Sequence, residues 1–150
     1  MAIKKTSAEL LDDIYTIAYW MTGSEEAASH LVYRTYLNVG TWTAELEVCK
    51  SFRDSYFDSY IHEKIACIPQ PSCKTIAHLG EVIIQQEADV KLTVLFSEIS
   101  GLKPCTIAQV IGVPLENIRL WLSSGRRWLA ESSLSLNARC HPGVSCNWSR

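Results

Sequence analysis

Between Ala88 and Ala130 the chain carries apolar residues at helical spacing in successive runs, and a glycine ends each of the first two. Val90, Leu92, Val94, Leu95 and Ile99 form the first run, which Gly101 interrupts. Ile107, Ala108, Val110 and Ile111 form a short second run that stops at Gly112. Pro114 opens a third run, in which Ile118, Leu122 and Leu129 share one side. A short helix, a glycine-containing break and a longer helix make a helix-turn-helix. Such a unit can lay its second helix in the major groove of DNA. That helix carries Glu116, Asn117, Arg119, Ser123, Ser124, Arg126 and Arg127. Asn117, Arg119, Ser123, Arg126 and Arg127 are the candidate contacts to phosphates and base edges. The alternative is a helical hairpin that serves only as an interaction module.

The N-terminal part is also helical. Thr6-Ser7-Ala8-Glu9 reads as a capping box, followed by Leu10, Leu11, Ile14, Ile17, Ala18 and Met21 along one face. Gly23 ends that helix, and Ser24 caps the next, with Leu31, Val32, Tyr36 and Leu37 expected inward. A third helix is expected over 43–65, with Phe52, Tyr56, Phe57 and Tyr60 interleaved with Asp54, Asp58 and Glu63. Those aromatics can stack on unpaired bases. The carboxylates would repel phosphates, however, and core packing is the favoured reading. Pro69, Pro71 and Ser72 mark a linker, and a further helix is expected over 75–86.

Two stretches resemble the extracytoplasmic-function (group 4) sigma factors. The string GLKPCTIAQVIGVPLENIRLWLSSGRRWL is similar to the promoter-reading C-terminal region of that family. Gly101, Leu102, Ile107, Ala108, Gly112, Val113, Pro114, Ile118, Arg119, Leu122, Arg126, Arg127 and Leu129 fit its pattern. Leu120 and Trp121 stand where the family usually carries polar or basic residues. The string YTIAYWMTGSEEAASHLVYRTYLNV is similar to the stretch that docks on the polymerase clamp, with His30, Tyr33 and Arg34 as departures. The resemblance implies an all-α chain of two small helical domains. These are a region 2-like domain over 1–65 and a region 4-like helix-turn-helix domain over 76–130, joined by a Cys/Pro linker over 66–75 and followed by a tail over 131–150. It implies DNA as a partner, and RNA polymerase core or another transcription regulator met by Leu31, Tyr33 and Arg34. In the family the third helix melts and reads the upstream promoter element.

Charge is unevenly placed in a chain of formal net charge -2. Residues 1–65 set Lys4, Lys5, Arg34, Lys50, Arg53 and Lys64 against ten carboxylates, and residues 66–150 are net basic. A basic C-terminal half suits DNA. No apolar run is long enough to span a bilayer and the N-terminus lacks a signal-peptide core, so a cytoplasmic protein with no membrane partner is expected. No phosphate-cradling glycine loop or nucleophile–base arrangement stands out, and His30, His62, His78 and His141 are scattered, so no enzyme is expected.

One motif lies outside the resemblance. Cys67-Ile-Pro69-Gln-Pro-Ser72-Cys73 and Cys140-His-Pro142-Gly-Val-Ser145-Cys146 both read C-x-P-x-x-S-C. Proline restricts such a loop, so less entropy is lost when its sulfurs converge. Four thiolates from Cys67, Cys73, Cys140 and Cys146 suit an iron–sulfur cluster, 4Fe-4S or 2Fe-2S, or tetrahedral zinc. The five-residue gap is wider than the two to four residues usual at zinc sites, and the cluster is favoured. A reversible disulfide pair and free thiols remain as alternatives. A metal joining the two loops would lock the C-terminal domain against the linker and make the arrangement sensitive to redox state, oxygen or iron. Cys49 and Cys105 lack the loop context and are expected to be buried.

Overall fold

The computed structural model describes residues 4–40, 43–62 and 74–138, and these are all helical or connecting. Helix α1 spans Ser7–Thr22, α2 Glu25–Asn38, α3 Glu45–Tyr56, α4 Lys74–Glu98, α5 Pro104–Ile111 and α6 Leu115–Ala138. A π-helical stretch, Phe57–Ile61, continues α3. The expected caps are present. Thr6 accepts from the Glu9 amide, Glu9 returns the bond to the Thr6 amide, and Gly23 closes α1 with φ 73°. Ser24 accepts from the Ala27 amide at the start of α2.

Helix boundaries differ from the sequence reading in two places. The runs expected over 75–86 and 88–99 form one helix of 25 residues, because nothing between them breaks the backbone ladder. Helix α6 continues to Ala138, through the first part of what composition marks as a polar tail, since no Gly or Pro follows Gly125 until Pro142. Three inward assignments also differ. Leu11 is 45% exposed, although Leu10, Ile14, Ile17 and Ala18 of the same helix are buried. Leu37 is 63% exposed, because it stands about 200° around α2 from the buried Thr35. Cys105 is exposed, on the side of α5 opposite Ile107 and Ile111, whereas Cys49 is buried as expected.

Both halves contribute to one core. Ile14, Ile17, Leu31, Val48 and Phe52 from the N-terminal helices join Leu92, Leu95, Phe96, Ile107 and Ile118 from the C-terminal ones. Phe52 and Phe96 meet edge to face, with ring centroids 6.3 Å apart and planes at 75°. Such a pair adds about 0.5–1.5 kcal/mol to the burial of its rings. Beside it the Arg53 guanidinium grips Asp89 with two hydrogen bonds, Nε to Oδ1 at 2.8 Å and an Nη to Oδ2 at 3.0 Å. Lys5 ties a second edge. Its ammonium donates to Asp13 (2.7 Å), to Glu45 (3.0 Å) and to the Ser100 carbonyl, which uses all its protons. Burial pulls the Lys5 pKa down, but the bonds to Asp13 and Glu45 and their charges outweigh it, and the group stays raised.

Helices α4 and α6 approach closely at Gly125. A Cβ placed there would lie 2.1 Å from Val94 Cγ2, inside a buried contact. Glycine normally weakens a helix interior, so its presence in α6 is explained by this approach. Val94 is β-branched and cannot swing aside. Gly125→Ala is therefore expected to destabilise the fold by about 1–3 kcal/mol in urea unfolding, with recovery when Val94→Ala is added. The same change at Gly80, which has open space within 4 Å, should stabilise by about 0.5–1 kcal/mol.

Candidate nucleic-acid interface

Helix α5, Gly112 and α6 form the expected helix-turn-helix. Pro104 begins α5, where its missing N–H costs nothing. Gly112 ends it with φ 82°, a left-handed conformation that favours glycine, and its N–H bonds the Ala108 carbonyl at 2.8 Å. The Pro114 carbonyl then accepts the first bonds of α6, from the amides of Asn117 at 3.0 Å and Ile118 at 3.3 Å.

The packing of α6 assigns its faces. Ile118, Leu122 and Gly125 are buried, and Leu115 and Trp121 are partly buried. Trp121 packs against the core, which accounts for an indole at a position that is polar in the resembled family. At about 100° per residue, the side opposite the core carries Glu116, Leu120, Ser123 and Arg127 in one row, and all four are exposed. Asn117 and Ser124 flank the row on one side, and Arg119 and Arg126 on the other, all exposed. Four of the candidate contacts, Asn117, Arg119, Ser123 and Arg127, thus lie around a single outward surface. Arg126 is tied back to α4 by a hydrogen bond from its Nε to Glu98 at 3.0 Å. Glu116 and Leu120 were not among the residues expected from sequence. Counting turns outward from Ile118 and Leu122 places them.

The candidate polymerase contacts separate. Leu31 lies wholly in the core, because with Ala28 and Thr35 it faces the other helices, and it presents no surface to a partner. Tyr33 is 63% exposed. Arg34 donates to Asp58 at 2.7 Å and to the Ser59 hydroxyl, joining α2 to the π-helical stretch. Tyr33 lines an apolar groove of about 420 Å³ between α1 and α2, with Leu11, Val32, Tyr36 and Leu37.

The aromatic face of α3 is turned into the fold. Phe52 is wholly buried, and Tyr56, Phe57 and Tyr60 are partly buried against the core. Tyr56 and Tyr60 stack on each other with centroids 5.4 Å apart. Arg53 covers the Phe57 ring at 4.3 Å while holding Asp89. Burial pushes the Tyr56 hydroxyl up, and its neighbour Tyr60 adds to the shift.

The candidate metal ligands Cys67, Cys73, Cys140 and Cys146 lie outside the described residues. In the chain, Cys73 immediately precedes the first residue of α4, and Cys140 follows the last residue of α6 by two positions. Among the described residues no group of three His, Cys, Asp or Glu side chains is placed to hold a metal ion. Burial drives the Cys49 thiol up to about 12, so it stays protonated and unreactive at neutral pH. No described helix is long and apolar enough to cross a membrane.

No protein-family model, no curated protein and no solved structure matches the chain.

Asp89 supplies a test of how α3 is held. Its pKa is raised, because burial outweighs the opposing bonds and charge of Arg53. A carboxyl raised in the folded chain costs stability once ionised, so that cost appears as pH rises from the usual carboxylate range through the folded value. Arg53→Met removes the opposing charge and leaves Asp89 buried alone. The loss should be on the order of 3 kcal/mol at neutral pH and should shrink as Asp89 is protonated, read from urea midpoints across the acid range.

Proposed function

We propose that the chain is a sigma-type transcription regulator that binds duplex DNA through α6. In this reading it also engages RNA polymerase core or another regulator, and it carries an iron–sulfur cluster on Cys67, Cys73, Cys140 and Cys146 that senses redox state, oxygen or iron. The observation that carries the DNA reading is the outward surface of α6, where Asn117, Arg119, Ser123, Ser124 and Arg127 are all exposed on a helix seated by a glycine turn. Arginines there can neutralise phosphates and release counterions, and Asn and Ser can bond base edges. The long C-terminal resemblance supports the same reading.

The cluster rests on the repeated C-x-P-x-x-S-C loop and on where the loops attach. They adjoin ends of α4 and α6, helices that pack together at Gly125 and Val94. Sulfur ligation there would bear on the seating of the DNA-reading helix. Zinc on the same thiolates is the alternative.

A second reading is favoured by the groove between α1 and α2. Tyr33 and Leu37 are each 63% exposed along it, which suits an apolar partner surface. The protein would then be a sigma-like interaction module without promoter binding, with a structural zinc or a thiol switch.

Fluorescence anisotropy with a duplex pool of randomised core separates the readings. Affinity should fall steeply with salt, and Arg119→Ala plus Arg127→Ala should make the log–log slope shallower by about one per arginine. Binding that is absent at low salt removes the DNA reading. For the cluster, protein purified without oxygen should contain iron and acid-labile sulfide and absorb in the visible, and both should be lost in Cys67→Ser or Cys146→Ser. A colourless, iron-free preparation would leave zinc, a reversible disulfide pair or free thiols.

A further inference from the structure

Leu120 is an anomaly on the outward side of α6. It is 65% exposed, more than any other large hydrophobic residue among the described residues. It stands in the middle of the outward row, between Glu116 and Ser123, with Arg127 further along. Between Glu116 and Arg127 every other exposed side chain is polar or charged, and Asn117, Arg119, Ser123, Ser124, Arg126 and Arg127 surround one branched aliphatic group. An apolar protein surface would call for a broader patch. One apolar side chain set among hydrogen-bond donors matches a base edge that carries a single methyl among acceptors. In the major groove that edge is thymine, whose C5-methyl lies beside its O4 acceptor. Glu116, one turn before Leu120, is an acceptor for the cytosine N4 amino group on a neighbouring pair.

We infer that Leu120 is a specificity residue that packs on a thymine C5-methyl when α6 lies in the major groove. The inference rests on the DNA reading above and deepens it: the duplex preferred by this chain contains a thymine whose methyl, and not its hydrogen-bonding groups, is read. Leu120 contributes little to the fold because it touches solvent rather than core, so its truncation leaves the helix in place.

The experiment begins by selecting the tightest duplexes from a pool of randomised core and replacing each thymine in turn by deoxyuridine, which removes the methyl alone. At one position the wild-type chain should bind about fourfold more weakly, the worth of one buried methyl-sized group. Leu120→Ala should bind the thymine and deoxyuridine duplexes alike, at the affinity of wild type for the deoxyuridine form. Because the methyl is removed from the DNA, the first arm does not depend on a variant folding. Selected duplexes that tolerate deoxyuridine at every position, or a Leu120→Ala chain that keeps the thymine preference, would overturn the role of Leu120 and leave DNA binding intact. A pool that yields no bound duplex overturns both.

Discussion

Two side-chain pairs between α3 and α4 tie the N-terminal helices to the C-terminal ones. There an edge-to-face pair of phenylalanines, Phe52 and Phe96, lies next to the bidentate grip of Arg53 on Asp89. The rings supply burial without direction. The ion pair adds direction, because a guanidinium meets a carboxylate squarely in only a few orientations. Together they join α3 to α4 at one seam. Lys5 repeats the arrangement at the other edge, where a single ammonium joins α1, α3 and the carbonyl that leads out of α4.

That seam has consequences at both ends of the chain. It turns the aromatic face of α3 inward, so Phe52 holds the fold together and the Tyr56–Tyr60 stack lies against the core. It also anchors α4, on which α6 rests through the close approach at Gly125. With one side of α6 committed to Ile118, Leu122 and Gly125, the opposite side is left to solvent as a narrow polar surface with Leu120 at its centre. The outward surface of α6 is thus the remainder of a packing solution.

Much of this was legible in the residues. The capping box at Thr6, the stop at Gly23, the cap at Ser24 and the turn at Gly112 are local events, decided by hydrogen bonds and backbone angles within a few positions. Their signals survive without the rest of the fold. Leu37 and Cys105 were misassigned because hydrophobicity marks what prefers burial, while the helix face marks what receives it. Leu31 illustrates the converse: it matches a partner-binding pattern, yet the other helices occupy its surface. Leu120 and Glu116 are absent from the contacts expected from sequence because the inner side of α6 must be known before its outer side can be named.

Sequence alone determined the helical class, the caps and breaks, the glycine turn before α6 and the repeated C-x-P-x-x-S-C motif, because each depends on neighbours along the chain. Tertiary structure alone decided that the two halves share one core, that the α3 aromatics face inward and that Arg126 is tied to Glu98 while Leu120 stands free of the core. Those outcomes depend on contacts between residues tens of positions apart. Periodicity gives a helix its apolar side, but only its partner helix settles how much of that side is covered.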